Sequence, residues 1–360
     1  MTHRFPIKEI ARQSGLSTAT IDRVLNNRPN VSTQTQRRVS DAIDELTTQE
    51  SQLAARGRRL FIDVVVEAPT RFSREIRNAL EAELPSLHPA IIRPRYMMQE
   101  RMRTGDIVAI LDRIGKRGSQ GVLLKARDQP DIRAAMAELG GRNIPVVTIF
   151  TDIPDAPHVA YAGANNRAAG ETAAYLIHHF LSSPTSSGSS LGPGGETGPV
   201  LITMSDAHFR GEESRKAGFA EAMAQLAPHL PILDASGGAG LDGDTARRLE
   251  SMMDDCRNIQ AVYSMGGGNR AILQTLADHD LTPSVYIAHD LDLENIALLQ
   301  QGRLSAVLHH DLRQDMRTAC HHVMAWHRLL PETAIAPPSD IHIITPANIP
   351  AFITKQAPIG

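Results

Sequence analysis

Apolar residues recur at helical spacing through the first 46 positions, then from residue 60 alternate between strand-like runs and helical stripes. At the start, Ile7, Ile10 and Ala11 share one helical face behind Pro6, a residue suited to a first helical position. Gly15 breaks that pattern, and Ser17 is placed to cap a second helix whose Ile21, Val24 and Leu25 point inward. The same helix leaves Thr18, Ala19 and Arg23 facing outward near its start. Asn26-Asn27-Arg28-Pro29-Asn30 reads as a loop, and Ser32 or Thr33 caps a third helix with Val39, Ala42, Ile43 and Leu46 as its stripe. The pattern predicts a small all-α helix-turn-helix head over 1–48 and a linker over 49–59. Small outward residues at the start of a short helix suit close approach to a major groove; a three-helix bundle for protein contacts is the alternative.

The remainder, 60–360, predicts an α/β body. Strands are expected at 61–66, 90–93, 121–125, 145–150, 200–204, 232–235, 261–264, 285–289 and 306–309. Helices are expected at 72–84, 106–116, 131–139, 166–181, 213–226, 245–255 and 269–278. Repeated strand–helix units imply parallel sheets covered on both faces, and this length fits two sheets better than one. Residues 182–198 (SSPTSSGSSLGPGGETG) are low in complexity and are expected to form a disordered surface loop, since the alternation resumes beyond them.

Charge changes the picture. The formal total of -3 speaks against nucleic acid, but it is unevenly spread. Residues 1–59 carry ten bases and six acids, +4, leaving -7 for the rest. A basic head on an acidic body is the asymmetry of a nucleic-acid-binding module joined to another domain. Only Cys256 and Cys320 are present, which excludes a disulfide framework and fits a reducing cytoplasm. No apolar run reaches the ~20 residues of a membrane span, and the first 15 residues have no apolar signal core, so a cytoplasmic, membrane-free protein is expected.

The head motifs, Ile7-Lys8-Glu9-Ile10-Ala11, Ser14-Gly15-Leu16-Ser17, Thr20-Ile21-Asp22-Arg23-Val24-Leu25-Asn26 and Val31-Ser32, resemble those of the lactose-repressor family (LacI/GalR regulators) without a gap over 6–46. The resemblance implies a homodimer on a near-palindromic double-stranded operator. By position, Thr18 and Ala19 match residues that read base edges, and Arg23 matches an arginine that contacts a base. Ser17, Thr20, Asn26 and Ser32 match phosphate-contacting positions, with capping as the second role of Ser17 and Ser32. Two departures stand out. Asp22 replaces the common serine and is expected to face an intramolecular base such as Arg23 or Lys8, with a cytosine amino group as the alternative. In the linker, Gly57 falls where a leucine of the family's hinge helix wedges into the minor groove; Leu53 substitutes, or Arg56, Arg58 and Arg59 neutralise phosphates.

The body resembles the two-lobed, type I periplasmic sugar-binding-protein fold that serves this family as sensor. That resemblance implies three crossings between lobes and a ligand in the cleft at strand C-termini. One lobe is then about 60–164 with 311–336, the other about 165–310 with 337–360. It also marks effector candidates. Phe72 matches an aromatic that stacks on a sugar ring, and Arg215, before Gly218-Phe219, matches an arginine that reaches hydroxyls. Asp152, Asn269 and Asp290 follow strand ends, and His310 stands where sugar binders commonly carry glutamine. Carboxylates and arginine suit a sugar or polyol because each satisfies two vicinal hydroxyls; capping or salt bridging is the alternative role for each. His310 would make affinity pH-sensitive near neutrality.

Other chemistry is disfavoured. Gly266-Gly267-Gly268 is followed by Asn269-Arg270 and not by the Lys-Ser/Thr of a phosphate loop. There is no GxSxG elbow, and the histidine pairs at 178/179, 309/310 and 321/322 lack metal-site spacing. The expectation is a non-enzymatic, cofactor-free transcriptional repressor responding allosterically to a small effector. Its rivals are a transport-type solute-binding protein and a sugar-processing α/β enzyme bearing an added DNA-binding head.

Overall fold

The computed structural model describes residues 3–350 apart from 30, 56, 183–197, 254–255 and 257, with the backbone alone at 48 and 50–55. Arg56 and nearly all of the loop expected at 182–198 lie outside the described residues. The head has three helices: α1 (Ile7–Ser14), α2 (Thr18–Leu25) and α3 (Thr33–Ala55). Phe5, Ile10, Ala11, Ile21, Val39 and Leu46 form its core, with Leu16, Val24, Leu25 and Ile43 packed against it. Ile7, expected on the buried face, is exposed. Gly15 supplies the turn by adopting φ 67, in the left-handed region that glycine tolerates best. The turn is tied down by Arg38 on α3, which donates to the Ser14 carbonyl at 2.7 Å.

Most of what was expected as linker is helical, since α3 continues to Ala55. Gly57 has φ 82 with no atom near its missing Cβ, so backbone conformation, not crowding, selects glycine there. A leucine at 57 would be strained, which is a physical reason for its absence.

The body begins with β1 (Arg59–Glu67), α4 (Thr70–Glu83), β2 (Ile91–Gln99), α5 (Thr104–Arg117), β3 (Gly121–Lys125), α6 (Pro130–Gly141), β4 (Val146–Ile149) and β5 (Ala160–Ala162). These strands form a parallel sheet in the order β2-β1-β3-β4-β5. The chain continues with α7 (Asn166–Leu181), β6 (Val200–Thr203), α8 (Arg210–Leu226), β7 (Ile232–Asp234), α9 (Asp242–Met253), β8 (Ala261–Ser264), α10 (Asn269–Asp278), β9 (Val285–His289), α11 (Leu293–Gln300) and β10 (Ala306–His309). After α12 (Leu312–Trp326), β11 (His342–Ile344) closes a second sheet ordered β11-β10-β9-β8-β6-β7, antiparallel only at β11.

Side-chain alternation fills both faces of each sheet. Leu60, Ile62, Val64 and Val66 of β1 pack into one core with α4 and α12, while Val65 enters the core of α5 and α6 on the other face. Ala261 and Tyr263 of β8 likewise face one core and Val262 the other. Helix α12 thus returns to the first sheet although it follows the second-sheet strand β10, and β11 then returns to the second. Two short strands, β5 and β11, the helices α11 and α12 and the length of β2 go beyond the sequence pattern.

Helices α7 and α8 approach backbone to backbone. A Cβ on Gly170 would collide with the Arg215 carbonyl, and one on Gly218 with the Arg167 carbonyl. Gly170→Ala should therefore lower stability by about 1–3 kcal/mol through overpacking. Calorimetry should register a fall in thermal midpoint of several degrees; an unchanged midpoint would contradict the close packing.

Candidate functional site

On the head, α2 buries Ile21 and exposes Thr18, Ala19 and Arg23. Ser17 caps α2: its hydroxyl accepts from the Thr20 amide at 3.2 Å and lies 2.8 Å from the Thr20 hydroxyl. Ser32, not Thr33, caps α3 by accepting from the Thr35 amide at 3.1 Å. Asn26 donates to the Asp22 carbonyl at 2.9 Å and to its carboxylate at 2.8 Å. Asp22 does face an intramolecular base, but the base is Arg28, at 3.2 Å, and not Arg23 or Lys8. That pairing restrains the loop after α2 and leaves Arg23 on the open face.

In the body, the strand ends of both sheets meet across a partly open cavity of about 80 Å³. Phe72, Arg215 and Asp290, three of the six effector candidates, line it. Phe72 sits on α4 with its ring edge-on to Phe150 at 5.4 Å, and Phe209 supplies a third aromatic from the facing lobe. Arg215, on α8, is held by donation to the Asn166 side chain at 2.7 Å and to the Met265 carbonyl at 3.0 Å. Both acceptors are neutral, so the guanidinium charge is oriented without being paired. Asp290 follows β9, and its Oδ1 is buried without a hydrogen-bond partner. Phe150 and Asp290 have φ 62 and 63, a left-handed backbone costly for side-chain-bearing residues, and both line the cavity.

The other three candidates stand elsewhere. Asp152 accepts from the Thr148 hydroxyl at 2.6 Å and from the Ile153 amide at 2.8 Å, closing its own turn outside the cavity lining. Asn269 is spent within its lobe: it donates to Asn295 at 2.7 Å and accepts from the Tyr286 hydroxyl at 3.0 Å. Asn295 is the asparagine that reaches the lining. His310 lies one layer behind, with Nδ1 2.6 Å from Asp315 and Nε2 3.6 Å from Asp290.

Burial alone would lower the His310 pKa, but the hydrogen bond to Asp315 and the charges of Asp315 and Asp290 raise it to about 9. His310 is therefore a cation throughout the neutral range, which corrects the expected pH sensitivity near pH 7. Burial pushes Asp290 upward, yet His310 and Arg215 outweigh it and hold the carboxylate below its ordinary range. Because the folded pKa of His310 lies above its ordinary 6.5, the stabilisation is complete below about pH 6.5 and is lost as pH rises through about 9. Between pH 7 and 10, the melting temperature of wild type should fall more steeply than that of His310→Gln; parallel curves would contradict the ion-paired imidazolium.

The cavity also contains charged residues that sequence reasoning passed over: Glu67 ends β1, Lys125 ends β3, Glu212 lies on α8, and Arg71 and Asp292 face each other. Glu67 and Lys125 share one signal, a charged residue closing a buried parallel strand. Lys125 donates to the Glu67 carbonyl at 3.0 Å, and its ammonium sits 3.9 Å from the centre of the Phe209 ring. Its burial lowers its pKa, opposed by Glu212 and Glu67. Glu212 accepts from the Ser205 amide and hydroxyl, both at 2.5 Å.

The lobes are closed on the cavity by contacts that cross between them. Arg71 on α4 donates to the Gly240 carbonyl at 2.8 Å and lies 3.3 Å from Asp292. Arg210 on α8 pairs with Asp128 at 2.8 Å, Arg101 pairs with Asp244, and the Asp128 amide donates to the His208 carbonyl at 2.9 Å.

Two family models match the chain. A model of the periplasmic binding protein domain matches residues 101–325, well over half of the chain, and a model of the bacterial regulatory proteins of the lacI family matches residues 6–47. The HTH-type transcriptional regulator TreR of Salmonella typhimurium is 31% identical over 125 residues, covering 34% of this chain and 39% of that protein. The match thus spans about two fifths of the length of that curated relative. Among solved structures, the glucose-galactose binding protein GanP of Geobacillus stearothermophilus superposes with a TM-score of 0.68 at 18% identity, covering 82% of this chain and 99% of that one. A solute binding protein of an ABC transporter from Burkholderia graminis, in complex with D-arabinose, gives 0.68 at 16% identity, with 82% and 98% covered. At such identities these structures establish the fold alone. Among the described residues no helix is long and apolar enough to cross a membrane.

Proposed function

Because the chain belongs to the periplasmic binding protein domain family through its body and to the lacI family of bacterial regulatory proteins through its head, we propose that it is a transcriptional repressor whose operator affinity is set by a small neutral sugar or polyol held between the lobes. The observation that carries the reading is the divided surface of α2, with Ile21 buried while Thr18, Ala19 and Arg23 stand exposed. That is a reading face with its own support, as base-edge recognition in a major groove requires. Ser17, Thr20, Asn26 and Ser32 brace the helix ends, and their remaining hydrogen-bonding capacity meets phosphates. The protein works as a cytoplasmic homodimer, whose two heads meet the half-sites of a near-palindrome.

The effector class follows from charge. Lys125 and Arg215 have neutral hydrogen-bond acceptors, and Glu212 has neutral donors, while Asp290 is only 3.6 Å from a histidine already paired with Asp315. The lining holds six acids, Glu67, Glu100, Asp206, Glu212, Asp290 and Asp292, and three bases, Arg71, Lys125 and Arg215; Lys125, Arg215, Glu212 and Asp290 are four of these that keep hydrogen-bonding capacity for a ligand. A neutral ligand with many hydroxyls satisfies all four, its oxygens accepting from Lys125 and Arg215 and its protons going to Glu212 and Asp290. An anionic ligand would add to the excess of acids in the lining, which is costly. Phe72, Phe150 and Phe209 offer apolar faces to a sugar ring.

Ligand bound to both lobes favours the closed arrangement over an open one, and through the dimer changes the placement of the heads. A thermal-shift panel of neutral sugars and polyols against amino sugars and sugar acids tests the effector class. At about 100 times its Kd, a neutral ligand should stabilise by about 2.7 kcal/mol, and Asp290→Ala should abolish the gain. Asp290-dependent stabilisation by a charged ligand only would overturn the reading.

A further inference from the structure

A second concavity opens beside the cleft, of opposite electrostatic character to the body that carries it. It is a groove of about 600 Å³ between α4 of one lobe and α10 and α11 of the other. Four arginines line it, Arg71, Arg74, Arg270 and Arg303, against two carboxylates, Asp292 and Glu294. The lining is thus +2, on a body that totals -7.

The arginines differ in how far they are already engaged. Arg71 is held by Asp292 at 3.3 Å and Arg270 by Glu294 at 2.6 Å, so both carboxylates are used. Arg74 has only a 3.4 Å approach from its sequence neighbour Glu75. Arg303, just beyond α11, is exposed and makes no side-chain hydrogen bond or ion pair among the described residues. One under-engaged guanidinium therefore stands on each side of the groove. Leu273 and Leu298 belong to the lining and keep part of it apolar, which strengthens a charge interaction made against it.

We propose that this groove, which adjoins the sugar cavity and shares Arg71 and Asp292 with it, is a second ligand site that takes a phosphoryl-bearing metabolite with at least two negative charges. Guanidinium forks suit phosphate oxygens because each presents two parallel donors, and guanidinium gives up water more readily than an ammonium. The excess of acids lining the main cavity disfavours such an anion, so the two sites select different ligand classes. An anion held by Arg74 and Arg303 bridges the lobes at the mouth of the cleft, and so binds the closed arrangement more tightly than the open one.

Isothermal titration of the full chain with inorganic pyrophosphate tests the site, with citrate as a carboxylate of comparable charge. Wild type should bind pyrophosphate saturably. Arg74→Glu with Arg303→Glu should weaken it at least tenfold, and Arg303→Gln alone by a smaller factor in the same direction. Asp290→Ala should leave pyrophosphate binding intact, which separates this site from the sugar cavity and from any failure of the effector assignment. The basic head also attracts anions, so binding that survives the double charge reversal unchanged would overturn the proposal. So would the absence of saturable binding, or equally tight citrate binding.

Discussion

Asp290→Ala should weaken binding of the neutral effector by about a hundredfold, corresponding to roughly 3 kcal/mol, while leaving the affinity of the unliganded protein for DNA within about twofold of wild type. The size follows from the position of the carboxylate. Its Oδ1 is buried with no hydrogen bond, 3.6 Å from the His310 imidazole, and the residue adopts a left-handed backbone at a strand end. In the proposed complex a ligand hydroxyl satisfies it through a charge-assisted bond. Removing the carboxylate also leaves His310 with Asp315 as its remaining acid, so the readout must separate ligand affinity from fold stability. Titration calorimetry on the variant, with thermal melts beside it, makes that separation. Unchanged ligand affinity in a normally folded variant would show that the cavity is not the effector site.

Arg23→Ala acts at the other end of the chain. A bidentate arginine–base contact is worth about 1–3 kcal/mol of discrimination, so the ratio of operator to random-duplex affinity should fall about tenfold to a hundredfold. The salt dependence of binding should change little, because the proposed contact is to a base and phosphate neutralisation sets that slope. Effector affinity should be unchanged. The side chain is exposed and does not belong to the head's core, so the variant should fold as wild type. A parallel loss on operator and random DNA would assign Arg23 to the backbone and remove it from the reading face.

Much of this organisation is legible in the sequence because it rests on local signals. The helix-turn-helix shows in Gly15, the caps Ser17 and Ser32, and the spacing of Ile10, Ile21 and Val39. The strands β3, β8 and β9 show as apolar runs long enough to be buried on both faces. The short strands β5 and β11 escape notice, although β7, which is no longer, is anticipated, and the length of β2 is hidden by Arg93, Pro94 and Arg95 on the edge of its sheet. The cavity is legible in part. Phe72, Arg215 and Asp290 lie at strand ends or in a helix motif, and they line it. Asp152 and Asn269 share the strand-end signal but turn their side chains to Thr148 and Tyr286, a choice made by tertiary packing. Lys125 and Glu67 were visible as charged strand ends. The contact of Arg71 with Gly240, 169 residues away, has no local trace. The hinge shows the same limit: Gly57 reads as a missing leucine, and only the backbone shows it as the left-handed residue that follows α3.

The central claim is that occupancy of the cavity controls the head. It is tested most directly by fluorescence anisotropy of the full chain on duplex DNA from the region upstream of its own gene, with and without the neutral sugar or polyol that most stabilises the protein. Specific binding should weaken with salt, and saturating ligand should shift its Kd at least about fivefold, the lower end of ordinary allosteric coupling. A ligand that stabilises the body through Asp290 while the operator Kd stays fixed would contradict the account.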